Sequence, residues 1–512
     1  MTKDDITLAI AEAHEAMQLA EHGRCLELLE PIASGQTEAF AQALLLRGRC
    51  LLARNPGLAV AALKEGSLFI TDFTEEHVEA QILLGRAYAF TDQFEFAAAT
   101  LQRALARARE MGSTRLQAYA GFNMATLLWM RSDHAEAEVY ARLAAIDVHP
   151  LAQARAKMIT SWLRAGRDDF AGQLALVVEA LRCLKASPTK DVALEAWLTH
   201  VLAVLGAELC DAEALQLAWR QAEELRWTAD VRVPQFQTLR ALGTAAALTG
   251  DRLAVVRHLR KAVELAPSAA WKALAHLNLA RLLREFDNWS WDAELDLAHE
   301  AAADVDWQSL RGEEQEALVL FIQLFSHARL PLAGQYATLL HTAAPLESRY
   351  SYRWDPRLSA HRDFALGSML KAEGDAYLAR TYYESAWKIY DRIGYAWRAA
   401  ETALAMLDVC DPPDAYRWLS RANRILSVAP ESWIAGHLAN RAAAPSTGEV
   451  KLNPGPARVL QLLLQGKTTK EICDALGLSR HTVNKHVAII KRSYGVTSLN
   501  QLLTGAFRQQ SA

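Results

Sequence analysis

The chain has 512 residues, 51% of them hydrophobic and 22% charged, with a formal net charge of −4, which excludes a disordered or fibrous polypeptide and leaves room for several domains or one long repeat array. Six scattered cysteines (Cys25, Cys50, Cys183, Cys210, Cys410, Cys473) without C-x-x-C spacing give neither a disulfide nor a zinc framework. No run approaches 18 consecutive apolar residues and Met1-Thr2-Lys3-Asp4-Asp5 begins no signal peptide, so a reduced, cytoplasmic protein with no membrane partner is expected.

From the start to about Ala439 the pattern predicts helical hairpins one after another, an all-α architecture. Leu84-Gly85, Tyr88, Asp92, Ala97, Leu101 and Ala104 make one unit. Leu242-Gly243, Gly250, Leu259, Ala262 and Pro267 make another, and Leu366-Gly367, Leu370, Gly374, Ala379, Tyr383 and Ala386 a third. Small residues where two antiparallel helices cross let them approach, and larger ones fill the space between hairpins. The cadence is that of tetratricopeptide repeats, with looser spacing, so residues 1–440 are expected to form a tetratricopeptide-like α-solenoid of ten or eleven hairpins. Such arrays present a concave face that takes an effector ligand or a protein partner.

Fourteen tryptophans invite a reading as an aromatic lining. Trp129, Trp162, Trp197, Trp219, Trp271, Trp387 and Trp418 fall inside amphipathic helices, where packing between repeats is the expectation. Tyr350, Tyr352, Arg353, Trp354, Arg357, His361 and Arg362 form an aromatic and cationic cluster around Pro356, expected in an irregular join between hairpins. It reads as a solvated loop or as a contact for an anionic ligand or partner.

Arg441 to Glu449 lacks apolar periodicity and contains Pro445 and Gly448, so residues 441–449 read as a linker to a second domain at 450–512. There Thr468 and Glu471 stand at capping-box spacing, Gly477-Leu478-Ser479 is a tight turn, and Ser479 suits the N-cap of a longer helix. Val483, Val487, Ile490 and Tyr494 give that helix a buried stripe, leaving Arg480, His481, Asn484, Lys485, Ala488, Lys491 and Arg492 outside. A small-residue face flanked by cations suits the major groove of double-stranded DNA. From Lys451 to Ala512, nine Lys or Arg face two acidic residues, about +7, which leaves about −11 on the rest of a chain at −4. A basic tail on an acidic body is the footprint of a nucleic-acid-binding module.

Residues 452–503 resemble the four-helix DNA-binding domain of LuxR/NarL (GerE-type) regulators. The likeness runs through Leu452, Pro454, Val459-Leu460, Leu463, Gly466, Lys470-Glu471-Ile472, Leu476-Gly477-Leu478-Ser479, Thr482-Val483, His486-Val487, Ile490, Gly495-Val496 and Gln501. Region 4 of sigma factors shares part of this core, whereas His486 and Tyr494-Gly495-Val496 fit the LuxR type. Two positions depart from it: Asn453 to Arg458 lacks the usual acidic residues, and Asn484 stands where Lys is frequent.

The resemblance implies base contacts from Asn484, Lys485 and Ala488. It implies backbone contacts from Lys467, Thr468, Thr469, Lys470, Arg480, His481, Lys491 and Arg492, with Thr482 in the same surface. It also implies a last helix from Ser498 whose Leu499, Leu502, Leu503 and Phe507 make the contact of a homodimer on DNA.

Gly466-Lys467-Thr468 has the look of a P-loop ending, but Gln461 stands where its first glycine belongs. No H-E-x-x-H or G-x-S-x-G occurs, and His14, His22, His77, His134, His200, His258, His276 and His299 are dispersed. Neither a cofactor, a metal nor an enzyme is expected. The sequence therefore predicts a bacterial-type transcriptional regulator controlled through its repeats. The alternative is a repeat scaffold whose basic domain docks a protein or RNA.

Overall fold

The computed structural model describes residues 3–32, 37–52, 54–70, 74–286, 290–307, 312–342, 356–411, 414–443 and 454–493, and every regular element among them is a helix. In chain order these are α1 (Lys3–Gln18), α2 (His22–Leu29), α3 (Thr37–Leu51), α4 (Pro56–Leu68), α5 (Glu75–Phe90), α6 (Phe94–Glu110), α7 (Thr114–Met130), α8 (His134–Ala144), α9 (Pro150–Ala165) and α10 (Phe170–Ala186). There follow α11 (Val192–Leu209), α12 (Ala212–Glu224), α13 (Arg232–Leu248), α14 (Arg252–Leu265), α15 (Ala269–Glu285), α16 (Trp291–Ala301), α17 (Glu316–Ala328), α18 (Leu330–Thr342), α19 (Pro356–Ala372), α20 (Ala376–Ile393), α21 (Ala396–Leu407) and α22 (Ala415–Ala422). Last come α23 (Trp433–Ala443), α24 (Pro454–Leu464), α25 (Thr469–Leu476) and α26 (Arg480–Ser493).

Helices α1 to α22 pair in sequence into eleven antiparallel hairpins, a tetratricopeptide-like solenoid. Five of the eleven turns inside the hairpins share one chemistry. Ser132, Asp168, Cys210, Gly250 and Gly374 take a left-handed conformation (φ between +54° and +88°), and the next residue is an aspartate in each case. Those aspartates cap the following helix: Asp133 accepts from the Glu136 amide, Asp169 from Gly172, Asp211 from Ala214, Asp251 from Ala254 and Asp375 from Leu378. Their own amides return to the carbonyl five residues back, as Asp133 does to Leu128 and Asp251 to Ala246, closing the preceding helix. One short turn thus ends one helix and starts its partner.

Glycine sets how closely the paired helices pack. A methyl group at Gly85 would sit 2.6 Å from Leu101 Cγ, and one at Gly243 would sit 2.8 Å from Leu259 Cγ. At Gly367 the obstacle would be the Tyr383 ring, also at 2.8 Å. The small residues read from the sequence are therefore the contact points of the helix pairs.

Successive first helices also pack on one another (α5 on α7, α7 on α9, α11 on α13, α15 on α17, α17 on α19), so they form the inner layer of the superhelix. After a full turn α11 meets α21, and Arg398 reaches Glu208, 190 residues away. Helix α11 is long and apolar enough to cross a membrane by length and composition, yet most of it is enclosed by neighbouring helices. The tryptophans follow the packing expectation except Trp197, which is 48% exposed; Trp129, Trp387 and Trp418 are buried, and Trp129 lies tilted against Trp162 at 4.8 Å between centroids. Trp197 escapes because it shares a helix face with Ala193, Val201, Val204 and Glu208, the least buried side of α11.

Helices α24 to α26 have their own core of Val459, Leu463, Ile472, Val483 and Ile490, distinct from the cores of the array.

Candidate nucleic-acid interface

The geometry of α25 and α26 follows from their caps. Thr468 Oγ1 accepts from the Glu471 amide at 3.3 Å, while Glu471 Oε2 accepts from the Thr468 amide at 2.7 Å, a reciprocal capping box. The Thr468 amide and hydroxyl hold the Glu471 carboxyl below its ordinary pKa. Gly477 ends α25 with φ +64°, a conformation that favours glycine, and the Leu478 amide returns to Cys473 O at 3.0 Å. Ser479 Oγ then accepts from the Thr482 amide at 3.1 Å and starts α26. The turn is thus bracketed by local hydrogen bonds, and Ile472 meets Val483 and Ile490 behind it.

With that side of α26 committed to the core, the other side faces outward. Arg480, His481, Asn484, Lys485 and Ala488 are all exposed and lie on one helix face, joined by Ile489 at 38% exposure. Lys467, Thr468 and Lys470 are exposed at the start of α25, and Thr469 is half-buried. Thr482 is half-buried, with its hydroxyl 2.9 Å from Ser479 Oγ, so its first role is to close the cap. Among the described residues, Lys470, Arg480 and Lys485 form no ion pair. Lys491 and Arg492 lie in the last turn of α26, but their side chains fall outside the described residues. So do Tyr494 and the residues expected to form a last helix, with Leu499, Leu502, Leu503 and Phe507. Val487 is only half-buried, so the inner stripe of α26 rests mainly on Val483 and Ile490.

Residues 457–506 match the family model of bacterial regulatory proteins of the luxR family. The C-terminal domain is a LuxR-family helix-turn-helix. The match spans about a tenth of the chain and leaves the array outside it. No curated protein matches the chain. Among solved structures, a chain of the complex titled "Structure of Naa15/Naa10 bound to HypK-THB" aligns over 99% of this chain and 80% of its own, at 14% identity and a TM-score of 0.24.

Among the described residues, the turn before α25 lies tightly against the array. Asn423, just after α22, donates from Nδ2 to the Gln465 carbonyl at 2.5 Å. Gly466 (φ +75°) lies so close that a methyl group there would meet Asn423 Nδ2 at 2.7 Å and Ser420 Cα at 3.0 Å. This turn leads directly into the cations at the start of α25.

A second polar constellation lies within the array, and sequence reasoning reached only part of it. Arg357 and His361 were expected in an irregular join; instead Pro356 opens α19, and both residues stand on its first turns. Pro suits the first position of a helix, where its missing N–H costs nothing. Tyr350, Tyr352, Arg353 and Trp354 lie outside the described residues. Arg357 and His361 line a cleft on the inner layer together with Glu208, Arg240, Glu316 and Arg398. Arg398 binds the Glu208 carboxylate through Nε and Nη2 at 2.8 to 3.0 Å, and Arg240 Nη2 holds Glu316 at 2.7 Å. No local motif marks these four residues; the available signal was a charge on the inward face of an otherwise apolar first helix, as at Glu208 within Leu205-Gly206-Ala207-Glu208-Leu209. Among the described residues no group of His, Cys, Asp and Glu could hold a metal ion.

Proposed function

We propose that the protein is a non-enzymatic transcriptional regulator whose LuxR-type domain reads the major groove of double-stranded DNA as a homodimer, under the control of a ligand or protein bound by the array. The observation that supports this best is the outward face of α26, on which Asn484, Lys485 and Ala488 stand exposed on the same side as Arg480 and His481 within a segment matching the luxR family. In this reading those three residues meet base edges. Arg480, His481, Lys491 and Arg492, with Lys467 to Lys470, meet phosphates, and Leu499, Leu502, Leu503 and Phe507 join two copies. Residues 1–440 act as the sensor, 441–449, whose first three residues end α23, as the linker and 450–512 as the DNA-binding domain.

Control by simple burial of the recognition face does not suit this arrangement, because that face is exposed. Control of orientation does. Asn423 holds the turn before α25, and a domain held there takes one fixed orientation relative to the array. A ligand that favours a second arrangement of the hairpins shifts the population of that contact.

Selection of bound sequences from a random DNA pool by the full-length protein tests the reading. The expected result is one enriched motif, palindromic if the protein binds as a dimer, that Asn484→Ala or Lys485→Ala loses. Release of the turn by Asn423→Ala is expected to change affinity for that motif without changing the motif itself. Binding without any preferred sequence would turn the protein into a repeat scaffold with a basic docking module.

A further inference from the structure

A cavity of about 180 Å³, partly open to solvent, lies inside the array between α15, α17, α19, α20, α21 and α23. About 150 Å³ is enough for one benzene-sized molecule. Its α23 wall is anchored on two sides: the Trp433 ring lies 5.3 Å from that of Trp397 between centroids, and His437 Nε2 stands 2.9 Å from Glu285 Oε2. Of the charged groups that line the cavity, Arg284 is bound to Glu285 and Lys371 to Asp408. Glu401, on α21, is the lining carboxylate left over; among the described residues it forms neither a hydrogen bond nor an ion pair. Burial pushes its carboxyl above the ordinary pKa, Arg281 opposes that rise, and Glu285 adds to it. Arg281 itself does not line the cavity, and its guanidinium lies over the Trp397 ring, 4.9 Å from the centroid. Gln323, on α17, is the second unsatisfied group. It is only 5% exposed and its side chain makes no hydrogen bond among the described residues, yet its amide is open to the cavity. A buried acceptor without a donor is unfavourable, and a buried charge without a counter-ion more so, unless a molecule from outside the chain supplies the partner.

We infer that this cavity is a binding site for a small primary amine in its ammonium form, with Glu401 as counter-ion, Gln323 as a hydrogen-bond acceptor, and an apolar body no larger than a single ring. An ammonium group supplies both the charge that Glu401 lacks and the N–H donors that a carboxylate and an amide oxygen accept. Phe364, Tyr383 and Trp433 line the same cavity, and aromatic walls suit both the cation and an apolar body. A quaternary ammonium ion has the charge without the donors, and a neutral alcohol has a donor without the charge, so neither satisfies the site. An occupant touches α23 directly, and α23 is the last helix of the chain before the linker to the LuxR-type domain. The inference deepens the ligand-controlled reading and rests on it for its biological sense, but its test requires no DNA.

Full-length protein is titrated at neutral pH with benzylamine and n-butylamine hydrochlorides, with tetramethylammonium chloride and benzyl alcohol as comparisons, at ionic strength matched with sodium chloride. The thermal midpoint and the heat of binding are followed. At least one of the two amines is expected to give a saturable rise in Tm that neither comparison compound gives. Its Kd should weaken by about tenfold or more in Glu401→Gln, which keeps the side-chain shape and removes the charge. It should stay unchanged in Glu223→Gln, an exposed position on α12. Gln323→Met, which removes only the acceptor, should also weaken binding and decides the matter if Glu401→Gln does not fold. Amines no better than sodium chloride, undiminished binding in the deciding variant, or equal binding of tetramethylammonium or benzyl alcohol would overturn the site. None of these results bears on whether a DNA motif is selected.

Discussion

The array and the LuxR-type domain use the same cationic side chains in opposite ways. In the array most arginines with resolved surroundings meet a carboxylate of the chain itself: Arg398 with Glu208, Arg240 with Glu316, Arg115 with Glu75 and Arg284 with Glu285. In the LuxR-type domain Lys470, Arg480 and Lys485 have no such partner among the described residues, and their side chains project into solvent. A cation satisfied within the chain ties helices together, whereas one left unsatisfied on a rigid helix is available to a phosphate or a base edge. Removing the first kind should therefore damage stability, and removing the second should damage binding alone.

The largest expected effect lies on the array side. Glu208→Ala strands Arg398 inside the superhelix, so the full-length protein should lose about 3–5 kcal/mol in urea unfolding. A loss below about 1 kcal/mol would mean that Glu316, 3.9 Å from Arg398, takes over the pairing. Next come two glycines that contrast packing with backbone strain. Gly243→Ala pushes a methyl group against Leu259 and should cost about 1–3 kcal/mol. Gly477→Ala meets no atom within 4 Å, so only its left-handed backbone opposes it, at about 1–2 kcal/mol.

On the other side of the comparison, Asn484→Ala should cost about 1–3 kcal/mol of affinity for the selected DNA motif with no change in Tm. A shift in Tm of several degrees would place Asn484 in the folding of α26 and remove it from base recognition.

Acid should separate the two regions more gently. Burial first, then Arg240 and Arg357, push the His200 pKa down to about 3, so it stays neutral in the folded array. Between about pH 6.5 and about pH 3 the unfolded chain holds a proton on this residue that the folded chain does not. Stability should thus fall by about 1.4 kcal/mol per pH unit from this group as pH drops through that window. His200→Gln should flatten the slope in pH-dependent unfolding, and an unchanged slope would sink the assignment. The smallest effect expected is that of Lys470→Ala, which should lower the salt dependence of DNA binding by about one unit of slope while leaving the selected motif intact.

The parts of this protein that were legible in the sequence are those held by near neighbours. Thr468 and Glu471 are three residues apart and do bind reciprocally, and Gly477 and Ser479 do end one helix and start the next. Gly85, Gly243 and Gly367 could be read as helix contacts because the obstacle to a larger residue lies on the adjoining helix of the same hairpin. Trp197 misled the reading because an aromatic residue in an apolar helix shows its face only when the neighbours on both sides are known.

What the amino-acid order determined by itself is therefore the hairpin, its turn chemistry and the helix-turn-helix, all built from hydrogen bonds and contacts between residues close along the chain. What only the tertiary structure decided is the cleft. Glu208 and Arg398 become partners only after hairpin after hairpin has added its small rotation and brought α11 against α21. Charge pairing over that separation depends on the summed geometry of the stack, which no local pattern of residues encodes.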